Sequence, residues 1–452
     1  IYELRTNNTG FIRNNIIALE NSSIYIFFSE HNYGNGMVFE SLNGQCNIIK
    51  YNLKKSDKPY ILESFEPYVC KYIGVAVTKG MIMVEKTQLR EYSYPIYNNT
   101  VFNADDDLNL IFKAAQNSFR QNTVDIFMDC PGRERAGWLC DTFFTSWSEK
   151  IFTGENCVEK EFLNNFVIAD EFPNIPTGMI PMIYPGEITK YGGGFIPQWA
   201  MWYVIELWER CSLRQKDENI LLYKKLCYDL LEWFKQYENS DGLLEKMPGW
   251  NFVEWSDANN WTEDVNYPTN MLYGKVLEII GKLYEDDSLV EESRKINKTV
   301  IEQSFDGRFF ADNAVRDQNG VLHVTENRSE VCQYYAYFTG IASMKDKKFE
   351  KLTDTVLNIF GPERKANGQL KEIAYANAFI GNYLRMIILQ KNGKFDKCVC
   401  EIKQYFLKMA KTTGTLWEHD DLMRAKSDGS LNHGFASFIG VVLPLACAGI
   451  GE

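Results

Sequence analysis

The stretch DCPGRERAGWLCD, from Asp129 to Asp141, places carboxylic acids, arginines and a tryptophan in a short part of the chain. Its charges alternate in sign, and a Pro-Gly pair interrupts any regular element there. An apolar run follows Trp138, so the sequence predicts a loop that leads into a helix. Because loops of this kind often display binding and catalytic groups, the stretch is the first candidate for a functional pocket.

The tryptophan in this stretch bears on what the pocket would bind. Mixed-charge loops are commonly solvated surface, and composition alone favours that interpretation. An indole beside carboxylates, however, is typical of a sugar site, in which C–H groups lie on the ring and hydroxyl groups bind the acids. We therefore interpret Trp138 and its neighbouring acids as a candidate carbohydrate site.

The string DCPGRERAGW resembles the signature of bacterial α-L-rhamnosidases of glycoside hydrolase family 78, in which it carries the general acid. Further segments resemble the same family in the same order, namely GFIPQW (194–199), DGLL followed by GWNFVEWS (241–256), TLWE (415–418) and SLNH (430–433). Several ordered matches are far more specific than one short pattern. The resemblance is strong for residues after 100 and weaker before them.

The composition restricts the class of partner. The chain has 452 residues, for which two domains are expected. Its net charge is −12 and it lacks a Lys/Arg-rich run, which argues against nucleic acid or an anionic membrane and fits a neutral ligand such as a sugar. The most apolar run, 438–450, is interrupted by glycine and proline, so we expect no membrane insertion.

Cysteine and histidine usage bears on cofactors and compartment. The chain has 11 cysteines and 4 histidines without paired CxxC sets, so we expect neither a disulfide framework nor a metal, and no other cofactor. Buried free thiols favour a reducing compartment, so we expect a cytoplasmic location. Because the chain begins at Ile1 without Met, a periplasmic location stays open if a leader or an upstream domain has been removed.

Two regions of different periodicity divide the chain. Residues 1–100 show short alternating runs such as SIYIFFSE, which predict an antiparallel β-sandwich. Residues 101–452 show helical periodicity without a fixed-period repeat, which favours a closed ring of paired helices over a solenoid. The predicted helices are 104–121, 141–154, 156–171, 196–213, 218–237, 268–286, 288–304, 328–343, 347–358, 374–391, 394–410 and 431–447.

The family resemblance implies the same mainly α fold, with an (α/α)6 barrel as the catalytic domain after the sandwich. Family members usually carry a further β domain after this barrel, for which no residues follow Glu452. We therefore expect the chain to be a trimmed form or a short variant.

Hydrolysis of a glycosidic bond needs one carboxylic acid that protonates the leaving oxygen and one carboxylate that activates water or attacks carbon. The resemblance implies that Glu134 is the acid and that Glu418, in TLWEHDD, is the general base. The alternative for Glu134 is a surface ion pair with a neighbouring arginine, and for Glu418 it is a solvated acidic loop. Asp420 and Asp421 follow closely, so the assignment within this cluster stays open.

The resemblance also implies a set of sugar-binding residues. Asp129 and Asp141 match positions that bind sugar hydroxyls, and Arg133 would hold a hydroxyl or orient Glu134. Asp141 is equally well placed as the N-cap of the helix predicted after it. Trp138 would stack on the apolar face or the 6-methyl group of a deoxy sugar, with a core tryptophan as the alternative.

Four further residues complete the predicted site. The resemblance places at least some of Trp199, Trp250 and Trp255 around the sugar, although each is equally able to pack between helices. His433 begins the last predicted helix, where the family uses a histidine against a sugar hydroxyl; a capping or buried structural role is the alternative. The string departs from the family pattern at an acid that often precedes the catalytic glutamate, and at Cys140, where a small residue is common.

The sequence therefore predicts a glycoside hydrolase resembling α-L-rhamnosidases, which removes terminal α-L-rhamnose from a rhamnose-containing oligosaccharide or glycoside. The resemblance implies an inverting mechanism. Two alternatives stay open, a glycosidase of the same scaffold for another terminal sugar and a catalytically silent carbohydrate-binding protein. A helical scaffold for protein partners would need neither acids nor indoles at loop positions. The oligomeric state is left open.

Overall fold

Six strands open the chain. The computed structural model describes residues 1–32, 47–96, 101–169, 172–186, 191–214, 219–377, 379–420 and 429–451. Its first strands are β1 (Tyr2–Ala18), β2 (Ser22–Ser29), β3 (Ile48–Leu53), β4 (Tyr60–Glu63), β5 (Tyr68–Lys79) and β6 (Ile82–Glu91). They form one antiparallel sheet of order β3-β2-β5-β1-β4. Strand β6 also pairs with β1, on the side away from β4, since Arg13 pairs with both Glu63 of β4 and Gln88 of β6.

This sheet is half-buried along its length. Alternate residues of β1 and β2, such as Ile12, Ile16 and Ile24, are buried, as expected when side chains alternate between the two faces of a strand. The antiparallel strands predicted for this region are thus present. The six described strands before residue 100 make a single sheet, and the two-sheet sandwich stays a prediction.

A buried polar contact attaches the sheet to the first helix, α1 (Asp106–Asn122). The Thr9 hydroxyl donates to Oε1 of Gln121 at 3.0 Å, and Nε2 of Gln121 donates to the carbonyl of Asn7 at 2.9 Å. All three side chains are buried, so these hydrogen bonds satisfy groups that would otherwise lose water without compensation.

Helices dominate the rest of the described chain. After α1 come α2 (Leu139–Thr153), α3 (Cys157–Ile168), α4 (Pro197–Glu209), α5 (Lys224–Lys235), α6 (Tyr267–Tyr284), α7 (Asp287–Ser304), α8 (Glu330–Thr339), α9 (Glu350–Asp354), α10 (Pro362–Asn367), α11 (Ile380–Lys391), α12 (Phe395–Thr413) and α13 (Ile439–Cys447). Short 3-10 or π turns lie at Tyr191–Gly194, Arg210–Arg214, Ile220–Tyr223, Asp257–Trp261, Lys347–Phe349, Thr355–Ile359 and Phe435–Phe438. A small second sheet contains β7 (Val265–Asn266), β8 (Asn313–Arg316) and β9 (Leu322–Val324).

The helices fall into an inner and an outer set. Helices α2, α4, α6, α8 and α11 contact one another in that order, and the segment 435–447 contacts both α11 and α2. Inner helices are apolar on most sides; every residue from Pro197 to Leu207 in α4 is buried. Helices α5, α7 and α12 are amphipathic, with charged outer faces. A helix that is buried on all sides is apolar all round, whereas a helix that is buried on one side keeps a polar outer face.

The predicted helix boundaries are accurate where hydrophobic periodicity is strong, as in α1, α6 and α7. Prediction of helix from 374 is wrong, because the backbone of Ala374 bonds to Arg328 and the helix starts only at Ile380. Prediction of helix from 431 is also wrong. There the backbone of His433 donates to Leu416, and regular α-helix begins at Ile439.

Other predicted elements differ from the observed ones for local reasons. The predicted helix 347–358 divides into a 3-10 turn, the short α9 and a π turn. Helix α10 and the strands β7 to β9 were not predicted, because each is too short to show periodicity. The predicted spans 156–171 and 218–237 each reach residues that lie outside the described chain, at 170–171 and at 218.

Two broader properties follow from the described residues. No described helix has both the length and the apolar character needed to cross a membrane. All ten described cysteines are free thiols, and seven of them are buried, as the sequence predicted.

Candidate active site

The string DCPGRERAGWLCD (129–141) forms a closed loop between α1 and the start of α2. The backbone N–H of Asp129 donates to the carbonyl of Ala136 at 3.0 Å, and Oδ1 of Asp129 accepts from the N–H of Ala136 at 3.0 Å. Arg135 takes a left-handed conformation with φ of 55°, and its guanidinium pairs with Glu66 of the N-terminal region at 2.9 Å. These contacts hold Glu134 at the turn of the loop.

A carboxyl pair lies within this loop. Oxygens of Asp129 and Glu134 lie within 4.8 Å of each other and of the Cys130 sulfur. Asp129 is buried, and its Oδ2 accepts no hydrogen bond from any N–H in the described residues. Burial and the neighbouring Asp129 carboxylate raise the pKa of Glu134 to about 9. Glu134 therefore carries a proton at neutral pH.

The side chain of Arg133 connects this pair to Glu418. Its Nε lies 3.3 Å from Oε1 of Glu134, and its Nη2 lies 3.2 Å from Oε2 of Glu418. The side chain of Arg133 is 11% exposed and that of Glu418 is 6% exposed, whereas that of Glu134 is 35% exposed. The ion pair is therefore an interior one, and Glu134 keeps an accessible side. We call Asp129, Arg133, Glu134 and Glu418 the carboxylate centre.

Glu418 reaches this centre on a loop after α12. Its backbone N–H donates to the carbonyl of Ser430 at 3.1 Å, which ties the loop to the segment leading to α13. The alternative of a solvated acidic loop is wrong for Glu418, because the side chain is buried. Asp420 instead pairs with Lys365 at 2.9 Å, and Asp421 lies outside the described residues.

His433 lies between Asp141 and Glu418. Its Nδ1 is 3.7 Å from Oδ1 of Asp141, and its Nε2 is 3.8 Å from Oε2 of Glu418. Burial, with a smaller effect of Arg133, lowers the pKa of His433 well below its usual value, so the ring is neutral. Burial and then Glu418 raise the pKa of Asp141 well above its usual value.

Two local predictions about these residues are wrong. Asp141 is not the N-cap of α2, because the helix begins at Leu139 and Trp138 occupies the capping position without a side-chain bond. His433 does not begin a helix, because it lies in the loop before the 3-10 turn at Phe435. Both side chains are buried; His433 lies beside Glu418 of the centre, and Asp141 lies beside His433.

Three half-buried indoles form an aromatic wall beside the centre. Trp250 packs edge-to-face on Trp138 with ring centroids 6.4 Å apart, and Trp255 lies 5.7 Å from Trp250. The Trp138 indole approaches Glu134 closely enough to oppose the rise of its pKa. Trp255 lies 6.4 Å from the ring of His419, the residue after Glu418. The wall thus reaches from Glu134 to His419, the neighbour of Glu418 in the chain.

A second aromatic layer is fully buried. Trp199, at the start of α4, packs edge-to-face on Phe252 at 4.8 Å and lies nearly parallel to Phe379 at 6.4 Å. Its side chain is 2% exposed, so the structure agrees with the packing alternative for this tryptophan. Phe252 in turn contacts Trp250 and Trp255, and so supports the wall from behind.

Sequence reasoning missed three residues that hold the site together. Nδ2 of Asn377 donates to the carbonyl of Trp255 at 2.9 Å and lies 2.9 Å from Nδ1 of His419. With Nδ1 as acceptor, the His419 proton is on Nε2, 3.9 Å from Glu418. Buried Glu254 accepts from the N–H of Gly381. Of these three residues, only Glu254 had a recognisable sequence context, as an acid inside the motif GWNFVEWS.

One group in the described residues has metal-like spacing. Asp129, Cys130 and Glu134 place three potential ligand atoms within 4.8 Å of one another. Burial raises the pKa of the Cys130 thiol well above its usual value, and the charged Arg133 lies beside all three. A metal would need the thiolate, so a shared proton fits this group better than a cation.

Comparison with solved structures places this fold among rhamnosidases. The chain superposes on a family 78 rhamnosidase of Bacillus sp. GL1 with a TM-score of 0.80 and 17% identity, over 97% of this chain and 45% of that one. A rhamnose-bound rhamnosidase from Klebsiella oxytoca gives a TM-score of 0.75 and 13% identity, over 97% of this chain and 86% of that one. This chain therefore spans less than half the length of the Bacillus enzyme.

Sequence comparison agrees with the structural one. No curated protein sequence matches the chain. Residues 98–359 match the profile described as the bacterial alpha-L-rhamnosidase 6 hairpin glycosidase domain. That range is more than half of the chain and contains Glu134 and the whole aromatic wall. The chain accordingly belongs to the bacterial α-L-rhamnosidase six-hairpin glycosidase family.

Proposed function

We propose that the chain is an inverting α-L-rhamnosidase in which Glu134 is the general acid and Glu418 the general base. One observation carries the proposal: the Arg133 guanidinium lies between two glutamates, 3.3 Å from Glu134 and 3.2 Å from Glu418. Burial and Asp129 raise the pKa of Glu134 to about 9, so this carboxyl carries the proton that a general acid must give. Glu418, largely buried and paired with Arg133, is the second carboxyl that the reaction requires.

The proposed reaction uses both glutamates. Glu134 gives its proton to the glycosidic oxygen as the bond to the anomeric carbon breaks. Glu418 takes a proton from a water molecule, whose oxygen attacks the anomeric carbon from the opposite face. The leaving alcohol and a free sugar of inverted configuration result. Arg133 contacts both glutamates and so keeps their carboxyls apart, which supports this assignment because inversion needs a water molecule between the carboxyls.

The surrounding groups support a deoxy sugar as substrate. The aromatic wall offers apolar surface for C–H groups and a methyl group, and buried Asp141 and His433 offer polar atoms for hydroxyls. Nδ1 of His433 has no hydrogen-bond partner in the described chain. The similar structures from Klebsiella oxytoca and Streptomyces avermitilis contain bound rhamnose, which favours that sugar here.

We also propose that the chain consists of a β-sandwich followed by an (α/α)6 barrel. The ordered contacts from α2 through α4, α6, α8 and α11 to the segment 435–447 support an (α/α)6 barrel. The strands before residue 100 would then form a β-sandwich domain, with the barrel from residue 101 onward. The last strand of the N-terminal sheet ends at Glu91 and the first helix begins at Asp106, which supports that boundary.

A hydrolysis screen tests the proposal. The enzyme is offered aryl α- and β-glycosides of several sugars, including aryl α-L-rhamnoside, with and without a chelator. We expect turnover of the α-L-rhamnoside, unchanged by the chelator. Turnover only of another glycoside would overturn the sugar assignment, and turnover that a chelator abolishes and a divalent ion restores would overturn metal-free catalysis.

A further inference from the structure

The loop before α11 carries a buried amide into the candidate site. Asn377 lies shortly before this helix, and its side chain is 6% exposed. Two buried carboxylates hold the backbone on either side of it. Oε2 of Glu330 accepts from the N–H of Ala376 at 3.0 Å, and Oε1 of Glu254 accepts from the N–H of Gly381 at 2.6 Å. The backbone that carries the amide is therefore fixed before any ligand arrives.

Backbone groups of two neighbouring loops determine how this amide is turned. Nδ2 of Asn377 donates to the carbonyl of Trp255 at 2.9 Å, and Oδ1 accepts from the N–H of Asp420 at 3.4 Å. A carbonyl only accepts and a backbone N–H only donates, so the reversed amide would place like groups face to face at both positions. One orientation of the amide therefore satisfies both backbone groups.

The same amide nitrogen also meets His419. Nδ2 of Asn377 lies 2.9 Å from Nδ1 of His419, whose side chain is 3% exposed. Because an amide nitrogen offers only hydrogens, Nδ1 must be the accepting, unprotonated nitrogen of the ring. A neutral His419 then carries its proton on Nε2.

Nε2 of His419 lies near a different oxygen of Glu418 from the one that Arg133 contacts. It is 3.9 Å from Oε1, whereas Nη2 of Arg133 is 3.2 Å from Oε2. An N–H beside a carboxyl oxygen favours the charged form of that carboxyl, which is the form that a general base needs. A ring nitrogen without its proton would oppose that form.

We propose that Asn377 is a positioning residue for Glu418 and acts through the tautomer of His419. The inference rests on the proposed function, because it concerns the proposed base. A purely structural amide would need the contacts with Trp255 and Asp420. It would not depend on which nitrogen of His419 carries the proton, and this difference separates the two roles.

Nuclear magnetic resonance tests the tautomer without any substrate. In protein with ¹⁵N-labelled histidine, long-range proton–nitrogen spectra distinguish protonated from unprotonated ring nitrogens, and the signals that His419→Gln removes belong to His419. We expect an unprotonated Nδ1 in the wild type. In Asn377→Asp a carboxylate replaces the amide donor, so Nδ1 should gain a proton. A protonated Nδ1 in the wild type, or His419 signals that Asn377→Asp leaves unchanged, would overturn the inference.

Asn270→Asp is the matched control for these spectra. Asn270 is another buried amide that accepts from a backbone N–H and donates to two carbonyls, but its partners are the backbones of Leu244 and Asn266. The substitution removes the same kind of donor and should leave the His419 signals in place. Equal changes in both variants would mean that the signals report a general loosening of the fold, which contradicts a specific role for Asn377.

Kinetics on an aryl α-L-rhamnoside test whether Asn377 acts through His419. We expect Asn377→Asp and His419→Gln each to lower kcat about 10-fold, as is usual for a group that orients a functional side chain. The double variant should lose no more than His419→Gln alone, because the two residues act in one chain of contacts. If Asn377→Asp does not fold, Asn377→Leu, which is similar in size and has no donor, replaces it in this comparison.

The outcomes separate this inference from the proposed function. Losses that multiply in the double variant, or an unchanged kcat in the Asn377 variant, overturn the inference while hydrolysis by the wild type upholds the function. If the wild type hydrolyses no rhamnoside, the proposed function fails. The spectra then still decide whether Asn377 sets the tautomer of His419.

Discussion

Nη2 of Arg133 lies 3.2 Å from Oε2 of Glu418, although 285 positions separate the two residues in the sequence. The contact joins the loop before α2 to the loop after α12, and both side chains are largely buried. Since Nε of Arg133 also lies 3.3 Å from Glu134, this guanidinium sets the relative position of the two proposed catalytic groups.

Removal of this guanidinium should damage both stability and turnover. Arg133→Gln leaves the Glu418 carboxylate buried without its cation, a change that typically costs about 3–5 kcal/mol. We expect a lower melting temperature together with a large loss of kcat. Arg90→Gln serves as control, because Arg90 pairs with Glu63 at 2.8 Å on the N-terminal sheet. This ion pair is exposed to solvent, and such pairs contribute about 0–1 kcal/mol to stability. Equal effects of the two variants would contradict an organising role for Arg133.

The two glutamates should be individually essential. Glu134→Gln and Glu418→Gln should each lower kcat by at least about 10²-fold, the scale of acid and base catalysis, with the fold intact by circular dichroism. The acid has a further test, because an activated leaving group needs little protonation. Glu134→Gln should lose less rate on such a substrate than on one with a poor leaving group, and equal losses would argue against the acid role.

The pH dependence should report the raised pKa of Glu134. A carboxyl whose pKa is raised to about 9 is protonated across the neutral range and loses its proton only as pH rises through that value. We therefore expect kcat/KM to hold through neutral pH and to fall on the alkaline side. In Asp129→Asn, an amide replaces the carboxylate that raises this pKa, so the alkaline fall should move to lower pH. An unshifted profile in that variant would contradict the coupling of Asp129 to Glu134.

The sequence predicted which residues form the site better than it predicted the contacts that position them. The DCPGRERAGW string, TLWE and SLNH indicated residues that do meet in space, because each motif lies on a loop at the end of a helix. Helices with strong periodicity were placed well for the same physical reason, one-sided burial. The string and the ordered motifs could not show that Arg133 bridges the two glutamates, since that contact depends on long-range packing.

Other features had no sequence signal at all. Asn377 and His419 link the loops through an amide-to-imidazole contact, which no local pattern encodes. The segment 430–434 was predicted to be helical together with the apolar run that follows it, but backbone hydrogen bonds to the segment 416–418 hold it in a loop. Trp199 and Trp250 looked equivalent in sequence, yet one is buried and the other lines a cavity.

This difference between tryptophans gives a further prediction. Trp138→Ala should weaken sugar binding by roughly 1–3 kcal/mol, as expected for loss of a stacking surface, with a smaller effect on melting temperature. Trp199→Ala should destabilise the fold by about 3–5 kcal/mol, because it creates a cavity in the core. Isothermal calorimetry with rhamnose and thermal melts separate the two effects. A collapse of stability with unaltered affinity in Trp138→Ala would identify that residue as core.

The stereochemistry of the first product tests the central claim, that Glu134 and Glu418 act as acid and base across a water molecule. Proton NMR is recorded during the first turnovers of an aryl α-L-rhamnoside, before the free sugar equilibrates between its anomers. Direct displacement by water predicts that β-L-rhamnose appears first and the α anomer grows in later. If α-L-rhamnose appears first, a covalent intermediate has formed, and the account of Glu418 as a base is wrong.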